Sequence, residues 1–79
     1  MENFIKERNE ALLSLDKEKI LAYGKKYNVK FPEDEKIFWA GVHKAICSLY
    51  SIPINKITKE QYEKSKEWLK ENGFDLKIK

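Results

Sequence analysis

The chain has 79 residues, which is enough for one hydrophobic core and excludes a second domain of ordinary size. Its content of 42% hydrophobic and 13% aromatic residues excludes a disordered chain, because so many apolar side chains favour burial. The net charge is +3, and the single cysteine, Cys47, excludes an internal disulfide. We therefore expect a single domain over residues 1–79.

The same features predict where the protein works. A secreted domain of this size usually carries several cysteines, so a single cysteine favours a reducing, cytoplasmic setting. Residues 1–10 have mixed charge and lack the apolar segment that a signal peptide needs. No run approaches about 18 apolar residues, so we expect no membrane-spanning helix.

The N-terminal part of the chain predicts two helices. The segment 2–13 contains no proline or glycine and places apolar residues near one side. Ser14 or Asp16 is then available to cap a second helix over 17–27, because both side chains accept hydrogen bonds from free backbone N–H groups. Asn28 predicts the end of that helix, since asparagine tolerates the left-handed conformation.

The third helix is predicted over about 33–50 and is expected to be the central one. Pro32 suits its first turn, and the acidic residues that follow favour a helix N-terminus. Its apolar residues cover a surface too wide for a helix that is solvated along one whole side. They form two adjacent stripes, one of Trp39, His43, Ile46 and Tyr50 and the other of Phe38, Val42, Ala45 and Leu49.

The two stripes leave two interpretations open. In the first, both stripes lie in the core, and His43 is a partly buried histidine with its hydrogen bonds satisfied. In the second, Trp39, His43 and Lys44 line a ligand pocket, where an indole stacks on a ring while the imidazole and the ammonium group meet an anion. Gly41 and Ala45 would admit the close approach of a helix from a second copy, so we expect a homo-oligomer.

The C-terminal part predicts a loop and then a fourth helix over 59–71. Residues 58–61, Thr-Lys-Glu-Gln, fit a capping box, and Gly73 suits the left-handed position that ends a helix. Trp68 shares a face with other apolar residues of this helix, which favours a place in the core. Residues 75–79 alternate between polar and apolar, which predicts a short extended tail. The fold expected is a compact all-α bundle of three to four helices.

Positive charge is concentrated in residues 17–30, where five lysines stand against Glu18 alone. One interpretation of this basic segment is a solvated helix face, and the other is a site for phosphate-bearing ligands, including nucleic acid. Only Arg8 among the sixteen basic residues is an arginine, which does not favour sequence-specific reading of DNA. The lysines of the basic segment are Lys17, Lys19, Lys25, Lys26 and Lys30.

Few groups in the chain are suited to catalysis. Cys47 lies four residues after His43, so the two could meet on one helix face and act as a nucleophilic pair. The apolar neighbours of Cys47 favour a buried, inert thiol instead. One histidine and one cysteine supply at most two of the four ligands of a zinc site. We therefore expect no enzyme, no metal site and no cofactor.

Two separated stretches carry a resemblance to other proteins. The first is 38–45, Phe-Trp-Ala-Gly-Val-His-Lys-Ala, and the second is 65–74, Ser-Lys-Glu-Trp-Leu-Lys-Glu-Asn-Gly-Phe. Together they resemble small proteins of tailed phages and prophages, in which a Phe-Trp-x-x-Val-His-Lys-Ala run precedes a Ser-x-x-Trp-Leu-x-x-x-Gly-aromatic ending. Position 46 differs from this pattern, because Ile46 stands where an arginine is expected after the first run. A ligand contact made by that arginine in the similar proteins is therefore not expected in this chain.

The resemblance implies an accessory protein that acts in the host cytoplasm. Phage proteins of this size without enzyme motifs often act by binding, either to a host defence protein or to a nucleotide signal that a defence system makes. The function expected is therefore non-enzymatic counter-defence, with Trp39, His43 and Lys44 as the ligand-binding residues. The alternative is a small nucleic-acid-binding or regulatory protein that uses the basic segment.

Overall fold

The computed structural model of the chain describes the backbone of residues 2–74 and the side chains of residues 4–74. Within this range the fold is all-α, as predicted. None of the described helices is long and apolar enough to cross a membrane. The predicted extended tail, residues 75–79, lies outside the described residues. The elements are α1 (Glu2–Ser14), α2 (Lys17–Tyr27), α3 (Glu35–Tyr50), a 3-10 turn (Pro53–Asn55) and α4 (Lys59–Glu71).

The helix ends follow from side chains close by in the sequence. Asp16, one of the two predicted caps, accepts a hydrogen bond from a backbone N–H in the first turn of α2. Asn28 ends α2 with a φ of 57° in the left-handed region. The predicted capping box is present at the start of α4: the Thr58 side chain accepts from the backbone N–H of Gln61, and the Gln61 side chain accepts from the backbone N–H of Thr58. Gly73 follows α4 with a φ of 82°, as predicted.

The start of α3 differs from the prediction by two residues. The helix begins at Glu35, and Pro32 lies before it instead of in its first turn. Asp34 is the reason, because its carboxylate accepts a hydrogen bond of 3.0 Å from the backbone N–H of Ile37. A side chain that caps in this way sits on extended backbone, which places the helix boundary directly after it.

Helix α3 is central, since it packs against α1, α4 and the 3-10 turn. Both of its apolar stripes contribute to the interior, which agrees with the first interpretation of the pattern. One cluster joins α1, α2 and α3, and its buried members are Ala11, Leu12, Ile20, Tyr23, Phe38, Val42, Ile46 and Ile57. A second cluster joins α3 to α4 through buried Ala40, Cys47 and Leu69, with Tyr62, Trp68 and Phe74 packed against it.

A polar network fixes the 3-10 turn to the helices. Arg8 and Asn9 on α1 each donate a side-chain hydrogen bond of 3.0 Å to the amide oxygen of Asn55. Asn55 in turn donates from its amide nitrogen to the carbonyl of Leu49 on α3, at 3.1 Å. Because Asn55 is buried, each of these bonds replaces one that water would otherwise make. The turn is therefore held rigidly against both helices.

The two helical glycines have opposite surroundings. A Cβ atom added at Gly41 would meet nothing within 4 Å, and the residue is exposed on the surface of α3. Ala45, which was expected to share a close helix contact with Gly41, packs against the core instead. A Cβ atom at Gly24 would lie 2.6 Å from the ring of Phe31 and 2.8 Å from the carbonyl oxygen of Val29. Among the described residues, no second helix packs closely against Gly41.

We predict that Gly41→Ala raises the free energy of unfolding by about 0.5–1 kcal/mol, because alanine loses less backbone entropy in a helix. Gly24→Ala is the matched control and should lower it, since its new methyl group collides with backbone and ring atoms. Urea denaturation of the three proteins measures both changes. A loss of stability in Gly41→Ala, together with a shift to smaller species in sedimentation, would show that Gly41 lies in a contact between copies.

Candidate functional site

His43 lies in the interface between α3 and α4. Small side chains at Ala40 and Cys47, one turn to either side of it, let α4 approach closely on this face. Only 6% of His43 is exposed, and its Nδ1 atom lies 2.9 Å from the hydroxyl oxygen of Ser65 on α4. Ser65 is itself buried. The pair joins two residues that are far apart in the sequence and satisfies one polar atom on each.

Two indole rings flank the imidazole of His43. The Trp68 ring stacks on it, with 4.6 Å between the ring centroids and 26° between the planes. Trp39 lies on α3 itself, with its ring centroid 6.2 Å from that of the imidazole. The row continues to Phe74, whose ring is nearly parallel to Trp68 at 6.1 Å. Both tryptophans are half-buried, so this row of rings reaches the surface.

The imidazole of His43 is held in its neutral form. Burial lowers its pKa below the ordinary value of 6.5, because the charged ring would lose hydration without gaining a counter-ion. The Ser65 hydroxyl and Nδ1 share this hydrogen bond, in which the neutral ring accepts or donates according to its tautomer. Nε2 has no partner among residues 4–74, and it keeps contact with solvent. It is therefore a polar atom that is still available for a hydrogen bond.

A cleft of about 270 Å³ opens beside this imidazole, between the end of α1 and the first turns of α4. We call it the His43 cleft. Three of its lining residues are apolar, and Gln61 and Ser65 contribute polar groups. Glu60 and Lys64 stand at the exposed rim, 3.6 Å apart as an ion pair. The lining residues are Leu13, Leu15, His43, Ile46, Glu60, Gln61, Lys64 and Ser65.

The three predicted ligand-binding residues do not line one cleft. His43 lines the His43 cleft, and Trp39 lies next to its ring. Lys44 points elsewhere, because one residue along a helix turns the side chain by about 100°. Its ammonium group lies 5.6 Å from the centre of the Phe74 ring, which Lys36 also contacts at 5.8 Å. The structure thus brings Trp39 and His43 together and separates Lys44 from them.

The basic segment is divided between two sides of α2. Lys17 forms an ion pair of 2.9 Å with Glu35 at the start of α3, and Lys26 forms one of 2.7 Å with Glu7 on α1. Lys26 and Tyr27 both donate to the Glu7 carboxylate, which lowers its pKa. Among the described residues, the lysines of the segment without an ion pair are Lys19, Lys25 and Lys30.

The surroundings of Cys47 disfavour a reactive thiol. It is buried beside α4, where its sulfur lies 3.9 Å from the backbone carbonyl oxygen of Tyr62. Burial raises the pKa of the thiol, so the reactive thiolate is scarcer than in an exposed cysteine. Over residues 4–74, no three His, Cys, Asp or Glu side chains lie together in a way that would hold a metal ion.

Sequence reasoning missed the partner of His43 and most of the walls of the cleft. Ser65 carries a usable signal, because it lies between Tyr62 and Leu69 on the apolar face of α4. A hydroxyl group in such a position needs a partner from another element, and His43 is the only imidazole in the chain. Leu15 carries no comparable signal, since an apolar residue at a helix end is common on any surface.

No protein-family model, curated protein or solved structure matches this chain. The resemblance to phage proteins therefore stays a prediction, and function has to be argued from the geometry of the site.

We predict that stability falls as the pH drops below about 6.5, because His43 has a lower pKa in the folded chain than in the unfolded chain. Below that pH the histidine of the unfolded chain takes up a proton more readily than His43 does in the folded chain. The proton stabilises the unfolded chain, so the free energy of unfolding keeps falling until the pH passes the pKa of His43 in the folded chain. Urea unfolding at about pH 7.5 and about pH 5.5 measures the loss.

His43→Gln is the control for this titration, because glutamine does not titrate in this range and its amide can either donate to or accept from the Ser65 hydroxyl. Glu7 does not interfere, because its pKa is lowered and its protonation therefore affects stability only in more acidic solution. The charged groups nearest the cleft, Glu60 and Lys64, are present in both proteins. An equal pH dependence in the two proteins would contradict the assignment to His43.

Proposed function

We propose that this chain is a non-enzymatic binding protein whose His43 cleft accepts a side chain of another protein. The observation that carries the proposal is a buried and neutral His43 that lines a cleft with apolar residues and whose Nε2 atom makes no hydrogen bond with residues 4–74. A surface with apolar walls and one oriented polar group is typical of the centre of a protein interface.

The charge and size of the cleft favour a protein over a nucleotide as the ligand. A nucleotide site needs cations that converge on the phosphates, and Lys64 is the only lysine that lines this cleft. Lys64 is already paired with Glu60, and Lys44 is directed toward Phe74. The volume of about 270 Å³ also lies just below the usual range of small-molecule sites, about 300–1,000 Å³.

The arrangement of the polar groups supports binding over catalysis. Ser65 is only 3% exposed, so its hydroxyl is poorly placed to attack a substrate. The carboxylates of residues 4–74 make no hydrogen bond to His43, so the ring lacks the orienting acid of a catalytic triad. Cys47 is buried, with a raised pKa. None of these groups is an activated nucleophile beside a general base.

The resemblance to small phage proteins supplies the biological setting of the proposal. A protein of this kind acts by occupying a surface that its target needs, which requires no chemistry of its own. We therefore propose a counter-defence protein that blocks a host defence protein, in preference to one that sequesters a nucleotide signal. The role rests on the resemblance, and the mode of binding rests on the His43 cleft.

Leu15→Asn tests the proposed function. Leu15 lines the cleft and has a φ of 54°, a left-handed conformation that asparagine adopts more readily than leucine. The substitution removes an apolar wall without straining the backbone. Capture of host proteins by the tagged chain, quantified by mass spectrometry, should show a target that Leu15→Asn binds about tenfold more weakly.

Leu21→Asn is the matched control, because Leu21 is similarly exposed, at 44% against 49%, but lies on α2 away from the cleft. It should capture the target as well as the unmodified chain does. Equal capture by all three proteins would contradict the proposal. A cyclic or linear nucleotide that raises the melting temperature, with the effect lost in Trp39→Ala, would favour the nucleotide form of the function.

The exposed lysines favour nucleic-acid binding as a second candidate function. Lys19, Lys25 and Lys30 make no ion pair with a described residue and so remain available to phosphates. If all three contact a duplex, the logarithm of the affinity should fall with the logarithm of salt concentration with a slope of about −3. Fluorescence anisotropy on labelled DNA and RNA measures this slope. Binding unchanged in a variant with all three lysines replaced by alanine would dismiss the candidate.

A further inference from the structure

The His43 cleft is one end of a longer groove along α1. A second cleft, of about 530 Å³, lies between α1 and the 3-10 turn. Its apolar lining comes from Ile5, Leu13 and Ile54. Leu13 lines both clefts, so the two are neighbours along α1. We call these two adjacent clefts together the α1 groove; one wall is α1, and the other is the 3-10 turn followed by the first turns of α4.

The far wall of the α1 groove displays apolar side chains that the fold does not need to expose. Ile54 is 69% exposed, the largest exposure among the large hydrophobic side chains of residues 4–74. Its backbone is held in place, because the neighbouring Asn55 anchors the turn to both α1 and α3. A rigid turn that holds isoleucine outward is a preformed contact surface.

The charge around this groove is mainly positive. Lys6 and Lys56 line its rim, and Glu10 is the one acid of that part. Arg8 lies beside them and bonds only to neutral amides among the described residues, so its charge is not compensated there. At the other end, Lys64 stands at the rim in an ion pair with Glu60, so its charge is compensated there. A partner with carboxylates complements the end at Lys6 and Lys56.

We infer that the α1 groove binds a short acidic amphipathic helix of a protein partner, an inference that rests on the proposed function. The nine residues from Ile5 to Leu13 span about 12 Å, which matches about two turns of a bound helix. Apolar residues of that helix cover Ile5, Leu13 and Ile54, and its carboxylates meet Lys6 and Lys56.

A helix fits this groove better than an extended peptide does. The described residues contain no strand, so the groove offers no sheet edge to which an extended backbone could add. A helix satisfies its own backbone groups and needs only side-chain contacts. A second copy of this chain is a poor occupant, because the chain carries +3 and its densest acidic stretch, residues 33–35, holds the α3 cap and the partner of Lys17.

A display library of helical peptides of about 14 residues, long enough for about four turns, tests the inference on the immobilised full chain. Enriched peptides should combine apolar residues at helical spacing with aspartate or glutamate. Their binding should fall at least about tenfold in Ile54→Asp, which places a charge in the groove. Ile37→Asp is the matched control, because Ile37 is 53% exposed on α3 and lines no part of the groove.

Three results would overturn the inference. They are the enrichment of no peptide, the enrichment of basic peptides, and equal losses of binding in Ile54→Asp and Ile37→Asp. Self-association of the unmodified chain in sedimentation that Ile54→Asp abolishes would assign the groove to a second copy and also overturn it.

The inference and the proposed function fail in different ways. A host target that depends on Leu15 but binds Ile54→Asp normally leaves the function standing and removes the helix from the α1 groove. If acidic peptides bind the groove but the chain captures no host target, the groove assignment stands and the proposed function is contradicted.

Discussion

The burial of α3 is the constraint on which the rest of the structure depends. Its two apolar stripes need cover on more than one side, and a short chain provides that cover as two separate layers. Helices α1 and α2 cover one side, and α4 covers the other by packing Leu69 against Ala40 and Cys47. Because α4 packs mainly on α3 while α1 packs mainly on α2, a depression remains between α1 and α4, lined in part by residues of α3. The candidate site is thus a direct consequence of how the central helix is covered.

His43 is the point at which this arrangement departs from what stability alone favours. An apolar side chain of similar size would fill the same space between Trp39 and Trp68 and would need no hydrogen bond. The imidazole needs Ser65 on one side, and its other nitrogen has no partner among residues 4–74 and keeps contact with solvent. Its lowered pKa records the cost of burying the ring, since protonation is disfavoured there. A polar group held in this way is of use to a binding partner and of little use to the core.

The parts of the structure that sequence reasoning predicted depend on residues close together in the chain. Thr58 and Gln61 cap α4 whatever the helix packs against, and the two stripes of α3 indicate a central helix without any knowledge of its neighbours. The site depends on tertiary structure instead. The pairing of His43 with Ser65 requires the rotation of α4 about its axis, which no local pattern specifies. Lys44 was grouped with His43 because they are adjacent in sequence, although the helix turns them to different neighbours.

Backbone strain in the described part of the chain is concentrated at the α1 groove. Three residues other than glycine have a positive φ: Leu15, Asn28 and Lys56. Asparagine tolerates this conformation, so Asn28 is an ordinary helix end, whereas leucine and lysine each lose about 1 kcal/mol or more there. Leu15 lines the His43 cleft and Lys56 lines the other end of the groove. Asparagine or glycine would relieve the strain at either position but would supply neither the apolar wall nor the ammonium group. The strain therefore coincides with the side chains that shape the groove, as expected where binding, and not stability, determines the residue.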